Sequence, residues 1–175
     1  MGGSLLGVNT LTQDTQAVIL ALPGDKELLA ALGKMSIRHS QLDYILRMTI
    51  SSVAGLSKEK VLEATRLETS GALRKRLRKL AKRRFGEVAI LLQLEALLER
   101  AKVTSNKRND LIHSVWAHQL DGDPVKLDHA NQFQAPPSKE KFEEISEEIH
   151  DVTFAFIEAR QFGFLRARDS SRYED

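Results

Sequence analysis

An arginine, an asparagine and a histidine lie close together in one segment of this chain, at Arg108, Asn109 and His113. An arginine guanidinium binds phosphate oxygens through paired N–H donors, and a histidine gains or loses a proton near neutral pH. Together these residue types can act on a phosphodiester without a metal ion. Trp116, the only tryptophan of the chain, follows three residues after the histidine.

The spacing of these residues bears on whether one chain can form a site. Asn109 and His113 are four residues apart, so a helix places them on one face. Arg108 precedes His113 by five residues, or about 140° around an ideal helix. We therefore expect a composite site in a homodimer, where a second copy brings the side chains together. The alternative is an inactive polar helix end, in which Asp110 pairs with Lys107 or Arg108.

Apolar residues at three- and four-residue steps predict long amphipathic helices along most of the chain. The clearest stripes run from Leu28 to Val53 and from Phe142 to Phe156. Gly55 suits a helix C-terminus, and Ser57 and Ser138 suit N-caps. The first predicted helix begins at Asp25 and ends at Gly55. Further helices are predicted over residues 58 to 67, 72 to 85, 87 to 102 and 107 to 117, with a last helix after Ser138. Residues 103 to 106 are either a break or a continuous turn of helix.

These elements predict an all-α fold, an antiparallel bundle of four to six helices with a small hairpin-like insertion before the last helix. The insertion is predicted from the turn dipeptide Asp121-Gly122, with Val125, Leu127 and Phe133 as its strand residues. We expect a helical domain over residues 25 to 167. Residues 1 to 24 would form a leader with at most one short helix, and residues 168 to 175 a frayed tail.

Composition excludes several classes of function. The 175 residues contain no cysteine, so a disulfide scaffold, a thiolate zinc site and a cysteine nucleophile are excluded. No cofactor and no metal are expected. No apolar run approaches the roughly 20 residues that span a membrane. The N-terminus lacks the pattern of a secretion signal, and we expect a cytoplasmic protein.

A run of basic residues extends from Arg74 to Arg84. Such a helix binds phosphate backbones through counterion release, without reading sequence. The candidate nucleic-acid-binding residues are Arg74, Lys75, Arg78, Lys79, Lys82 and Arg83. In the alternative, the acidic last helix neutralises the run if the two helices pack side by side, through Glu140, Glu143, Glu144, Glu147, Glu148 and Asp151.

The segment from Arg108 to His113, at the end of a long helix in an all-α chain, resembles the HEPN superfamily of ribonucleases and RNA-associated toxins. The signature of that superfamily is an arginine, four to six residues and a histidine, commonly with a polar residue directly after the arginine. Arg108, Asn109 and His113 match these positions. Asp43 stands on the first long helix, where relatives often carry an acidic residue. At the level of architecture the resemblance covers residues 28 to 156.

The resemblance implies metal-independent RNA cleavage at a homodimer interface. His113 would take the proton from a ribose 2′-hydroxyl, and Arg108 would hold the phosphate and stabilise its developing charge. Asn109 would orient His113 or bind RNA, and the product would be a 2′,3′-cyclic phosphate. The implied partners are RNA, a second copy of the chain, and an antitoxin or regulatory protein.

Two further observations leave alternatives open. Toxins paired with nucleotidyltransferase antitoxins often have a tyrosine where this chain has Val115, and many HEPN-like chains are inert interaction or regulatory modules.

His39 lies on the apolar stripe of the first long helix, one turn before Asp43. It is either a buried histidine satisfied by that aspartate or, with Asp43 and Asp110, a neighbour that supports Arg108.

Overall fold

The computed structural model describes residues 18–20, 24–119, 124–127 and 133–166. They fall into two compact units, a helical one within 23–114 and 137–175 and a sheet one within 1–22 and 115–136. The helical unit contains α1 (Lys26–Ala54), α2 (Lys58–Ala64), α3 (Ser70–Arg84), α4 (Val88–Ile112) and α5 (Lys139–Gln161). The predicted all-α class is confirmed. The expected frayed tail, residues 168 to 175, lies outside the described residues.

The helix ends follow the predicted capping signals. The carboxylate of Asp25 accepts hydrogen bonds from the backbone N–H groups of the first turn of α1, and Ser57 and Ser138 cap α2 and α5 in the same way. Gly55 ends α1 with φ at 64°, a left-handed conformation that glycine adopts without steric cost. These boundaries are confirmed.

Four long helices enclose the core, because α1 and α4 each pack against both α3 and α5, while α2 packs against α1. Helix α4 runs antiparallel to α3. Arg74 on α3 contacts Ser105 near the end of α4, and Arg78, one turn later on α3, contacts Glu95 near its start. The fully buried core side chains include Met35, Leu42, Leu46, Leu73, Leu77, Leu94, Leu98, Phe142, Ile149 and Phe156.

Helix α1, in contrast, runs parallel to α5. Glu27 pairs with Lys139 near the starts of the two helices, and Lys34 pairs with Glu147 about two turns later in both. The short helix α2 and its flanking loops return the chain toward the middle of α1 before α3 begins. The antiparallel relation therefore holds for helices that follow each other through a short connection, such as α3 and α4.

The sheet unit has four antiparallel strands in the order β1 (Val18–Leu20), β2 (Val115–Gln119), β3 (Pro124–Leu127) and β4 (Phe133–Gln134). The hairpin of β2 and β3 confirms a hairpin-like insertion before the last helix, although its predicted turn at Asp121-Gly122 lies outside the described residues. Where a short helix was expected in the leader, the described part is β1, which pairs with β2. Backbone pairing across the sheet overrides the local apolar run.

The course of α4 decides one open alternative and corrects one expectation. The helix continues without a break through Val103 to Asn106. It ends at Ile112, whereas the sequence predicts a helix to Ala117. The Ser114 hydroxyl donates to the Asp110 carbonyl, and the β-branched and aromatic residues that follow pair within β2. None of the described helices is both long enough and apolar enough to cross a membrane.

Candidate functional site

The helical unit contains a polar cluster to which three helices each contribute two residues at helical spacing. Helix α1 supplies His39 and Asp43, α3 supplies Ser70 and Arg74, and α4 supplies Ser105 and Arg108. Residues three or four apart share a helix face, so each pair points the same way. We call these six residues the polar cluster.

His39 is the buried centre of the polar cluster. Its Nε2 lies 3.3 Å from the Oγ of Ser105 and 3.4 Å from the Oγ of Ser70. The Ser105 hydroxyl donates to the carbonyl of Ala101, and the Ser70 hydroxyl donates to Asp43. Because both hydroxyl protons are used elsewhere, each serine can only accept from His39. This pattern assigns the proton of the neutral imidazole to Nε2.

The charged neighbours of His39 come from all three helices. Nδ1 lies 3.9 Å from the Oδ2 of Asp43, and the guanidinium groups of Arg74 and Arg108 both act on the imidazole electrostatically. Burial lowers the pKa of His39 below its ordinary value, and the two arginines lower it further against the opposing effect of Asp43. His39 is therefore neutral at pH 7.

Arg74 is turned toward the polar cluster rather than toward solvent. Its Nη1 donates to the Oγ of Ser105 over 3.1 Å. Its Nη2 lies 3.9 Å from the place that a Cβ would occupy on Gly71, so the side chain reaches back to the first turn of α3. Burial lowers the pKa of Arg74. The positive end of a helix dipole also disfavours a cation there.

The predicted catalytic residues are only partly brought together. Arg108 is a half-buried member of the polar cluster, and its Nη1 donates to the Oδ1 of Asn109 over 3.1 Å. The Nε of Arg108 is buried and has no hydrogen-bond partner among the described residues. His113 is exposed at the C-cap of α4, where its backbone N–H donates to the Asn109 carbonyl. Within one chain, Arg108 thus faces His39, and the contacts of the described residues do not join it to His113.

The residues proposed as neighbours of Arg108 have different outcomes. Arg108 acts on the imidazole of His39 electrostatically, and Asp43 accepts a hydrogen bond from Ser70. A supporting role of His39 and Asp43 toward Arg108 stays a prediction. Asp110 is exposed and forms no ion pair within the described part of the chain. Lys107, its expected alternative partner, pairs with Glu148 on α5 instead. Neither Lys107 nor Arg108 pairs with Asp110 in the structure.

The basic run on α3 divides into paired and exposed cations. Arg78 holds Glu95 on α4 through its Nε and Nη2, and Arg76 holds Glu68. Arg84 donates to the Ser52 and Val53 carbonyls at the end of α1. Four candidate nucleic-acid-binding side chains are exposed and form no ion pair with a described residue: Lys75, Lys79, Lys82 and Arg83.

The expected neutralisation of α3 by the last helix is wrong, because α5 packs against α1 and α4. Its carboxylates Glu147 and Glu148 pair with cations of those two helices. Across residues 24–119 and 133–166, no ion pair joins α3 to α5. The partial neutralisation of the basic run comes from Glu68 and Glu95, which the sequence reading did not identify.

Ser70 and Ser105 are also absent from the sequence-based site. Their only signal was their spacing, four residues before Arg74 and three before Arg108, on helices whose proximity the sequence does not reveal. Comparison of the chain with protein-family models, curated proteins and solved structures finds no significant match to any of them.

Proposed function

We propose that this protein binds RNA and cleaves it without a metal ion, as the resemblance to the HEPN superfamily implies. The observation that carries the proposal is the convergence of Arg108 and Arg74 on one polar cluster from two helices. Guanidinium groups are the side chains best suited to hold a phosphate through paired hydrogen bonds. We also propose that the protein acts in the cytoplasm.

In this proposal Arg108 binds the scissile phosphate, His113 removes the proton of the 2′-hydroxyl, and Asn109 orients the reacting groups. The 2′-oxygen attacks phosphorus as the bond to the 5′-oxygen breaks, which leaves a 2′,3′-cyclic phosphate. The 5′-oxygen departs as a hydroxyl with a proton from water, and His113 later returns the proton it took to solvent. Lys75, Lys79, Lys82 and Arg83 support the proposal, because exposed cations along α3 can hold an RNA backbone.

The separation of Arg108 from His113 within one chain supports a site composed of two chains. In a homodimer, His113 of one protomer would act on the phosphate that Arg108 of the other holds. Mixing inactive Arg108→Lys and His113→Ala chains tests this arrangement. Random pairing would restore roughly a quarter of wild-type activity, because half of the dimers carry one intact site out of two. No recovery in the mixture would contradict a composite site.

The direct test of cleavage uses purified protein, structured and single-stranded RNA, and EDTA to remove metals. We expect cleavage products that end in a 2′,3′-cyclic phosphate, and their loss in His113→Ala. His150→Ala is the matched control, because His150 lies on α5, away from Arg108 in the sequence, and packs against Phe154. Undiminished cleavage by the His113→Ala protein rules out the proposed mechanism.

The second candidate is a catalytically inert interaction or regulatory module, and the exposed apolar surface of the helical unit favours it. Val88 and Leu92 near the start of α4 are 69% and 66% exposed, and Phe162, which follows α5, is 76% exposed. Leu92 is 16 residues from Arg108 on the same helix. This corresponds to about 24 Å along the helix axis.

A second copy can bind through that surface without joining two arginine–histidine segments across a cleft. The interaction-module hypothesis therefore expects a dimer that dissociates in Leu92→Gln and does not cleave RNA. A dimer that cleaves RNA and survives this substitution favours the composite ribonuclease instead. Light scattering after size-exclusion chromatography gives the oligomeric state.

A further inference from the structure

The polar cluster carries more positive than negative charge. Arg74 and Arg108 contribute two cations, Asp43 contributes one carboxylate, and His39 is neutral. Two more distant groups act on Arg74, namely Arg78 and Glu99. Each of these has its own partner, because Arg78 pairs with Glu95 and Glu99 pairs with Lys102. One cation in a partly desolvated place is therefore left without a countercharge.

Hydrogen-bond donors are also left over in the polar cluster. A guanidinium has five N–H donors, yet with the described residues Arg108 forms one hydrogen bond and its buried Nε forms none. A buried donor without an acceptor destabilises the structure, because it has lost its hydrogen bond to water. An anion with several acceptor oxygens would remove both the excess charge and the unmet donors.

The cluster is open enough to admit a small anion. The Asp43 side chain keeps 22% of its surface exposed, against 11% for His39. Arg74, Arg108 and Ser70 are half-buried. Solvent therefore reaches Asp43 and parts of Ser70, Arg74 and Arg108. The first-turn N–H groups of α3 add to the positive potential there.

We infer that Arg74 and Arg108 form a binding site for one phosphate group, within a single chain, between α1, α3 and α4. The inference deepens the proposed function and rests on it for the source of the phosphate. It adds Arg74 as a direct phosphate ligand and makes His39, Ser70 and Ser105 positioning residues that fix the two guanidinium groups. The site takes either a backbone phosphate of RNA or a free phosphate, because both present the same oxygens.

The test uses the His113→Ala protein, so that RNA remains intact, and two probes, inorganic phosphate and a short single-stranded RNA. The readout is the NMR signal of the His39 imidazole, identified by its loss in His39→Gln. A phosphate beside His39 adds negative charge and raises the pKa of the imidazole. If the pKa of His39 rises with both probes, or with RNA alone, the site is assigned to RNA. If it rises with inorganic phosphate alone, the site is assigned to free phosphate.

Variants of the two α3 arginines make the test specific. We expect Arg74→Gln to weaken binding of the responding probe by about tenfold or more, which is the loss of one charge-assisted contact. Arg74→Lys keeps the charge and loses the paired geometry, so its loss is smaller. Arg76→Gln is the matched control, two residues further on the same helix but paired with Glu68. Equal affinities of the folded Arg74 and Arg76 variants, or an unchanged His39 signal with both probes, overturn the inference.

This outcome is independent of the cleavage assay. If the protein binds phosphate at Arg74 and does not cut RNA, the proposed ribonuclease function fails and the phosphate site stands. If cleavage depends on His113 while the Arg74 substitution has no effect on binding, the phosphate site fails and the proposed ribonuclease function stands.

Discussion

The Nε2 of His39 on α1 lies 3.3 Å from the Oγ of Ser105 on α4, inside the helical unit. This contact joins two residues that lie 66 positions apart in the chain. It places a titratable ring in the buried centre of the polar cluster, where its charge state affects both the fold and any ligand of the neighbouring arginines.

The stability of the protein should fall as the pH is lowered below about 6.5, the ordinary pKa of histidine. The folded-state pKa of His39 is lower than this value. Between the two values the unfolded chain therefore binds the proton first, at a cost of up to about 1.4 kcal/mol of unfolding free energy for each pH unit. Urea unfolding over this range measures the slope. His39→Gln should remove this part of the slope and His150→Gln should keep it, so equal slopes in the two variants would contradict the prediction.

Replacing Asp43 with asparagine should destabilise the fold by about 1–3 kcal/mol, because the Ser70 hydroxyl loses a charged acceptor. The same change should lower the pKa of His39 further, since Asp43 is the group that raises it. Chemical unfolding and an NMR titration of the imidazole measure the two effects. Asp151→Asn, on the exposed side of α5, should leave both quantities unchanged, and a similar result for Asp43→Asn would count against the cluster.

Neighbouring arginines at the end of α3 should have separable roles. Arg84→Gln removes the donor to the Ser52 and Val53 carbonyls at the C-terminus of α1 and should cost about 1–3 kcal/mol of stability. Arg83→Gln should leave stability within about 0.5 kcal/mol and weaken RNA binding, since this side chain is exposed. Unfolding curves and RNA titrations of both variants check the prediction, which fails if their effects are the same.

The exposed cations of α3 should determine how steeply RNA binding depends on salt. Each phosphate contact on a single strand contributes about 0.7 to the slope of log affinity against log salt concentration. Changing all four to glutamine should therefore reduce the slope by roughly three: Lys75, Lys79, Lys82 and Arg83. Arg76→Gln is the control, because Arg76 already pairs with Glu68. An unchanged slope in the fourfold variant would exclude α3 as the RNA contact.

The helix pattern was predictable from the sequence because apolar periodicity and capping residues are local signals. The buried stripe from Leu28 to Val53 and the stop at Gly55 are examples. The strand at Val115–Gln119 was not predictable in the same way. Its state depends on pairing with β3 across a hairpin and with β1, which lies far earlier in the chain.

The site shows the same division between local and distant information. The pairs His39 and Asp43, and Asn109 and His113, follow from spacing on a single helix. The contact between Arg74 and Ser105 does not follow from spacing on one helix, because it requires α3 and α4 to pack in one particular register. For this reason Arg74, which was predicted as part of an exposed RNA-binding surface, is turned toward the polar cluster instead.

The parallel pairing of α1 with α5 has a consequence for how the protein is made. Their ion pairs join residues 112 and 113 positions apart in the chain. Domains emerge from the ribosome at about 5–20 residues per second, starting at the N-terminus. For several seconds the nascent chain therefore carries α1 without α5, so the part of its apolar stripe that α5 covers stays exposed. During that interval, we expect the protein to depend on chaperones that shield such surfaces.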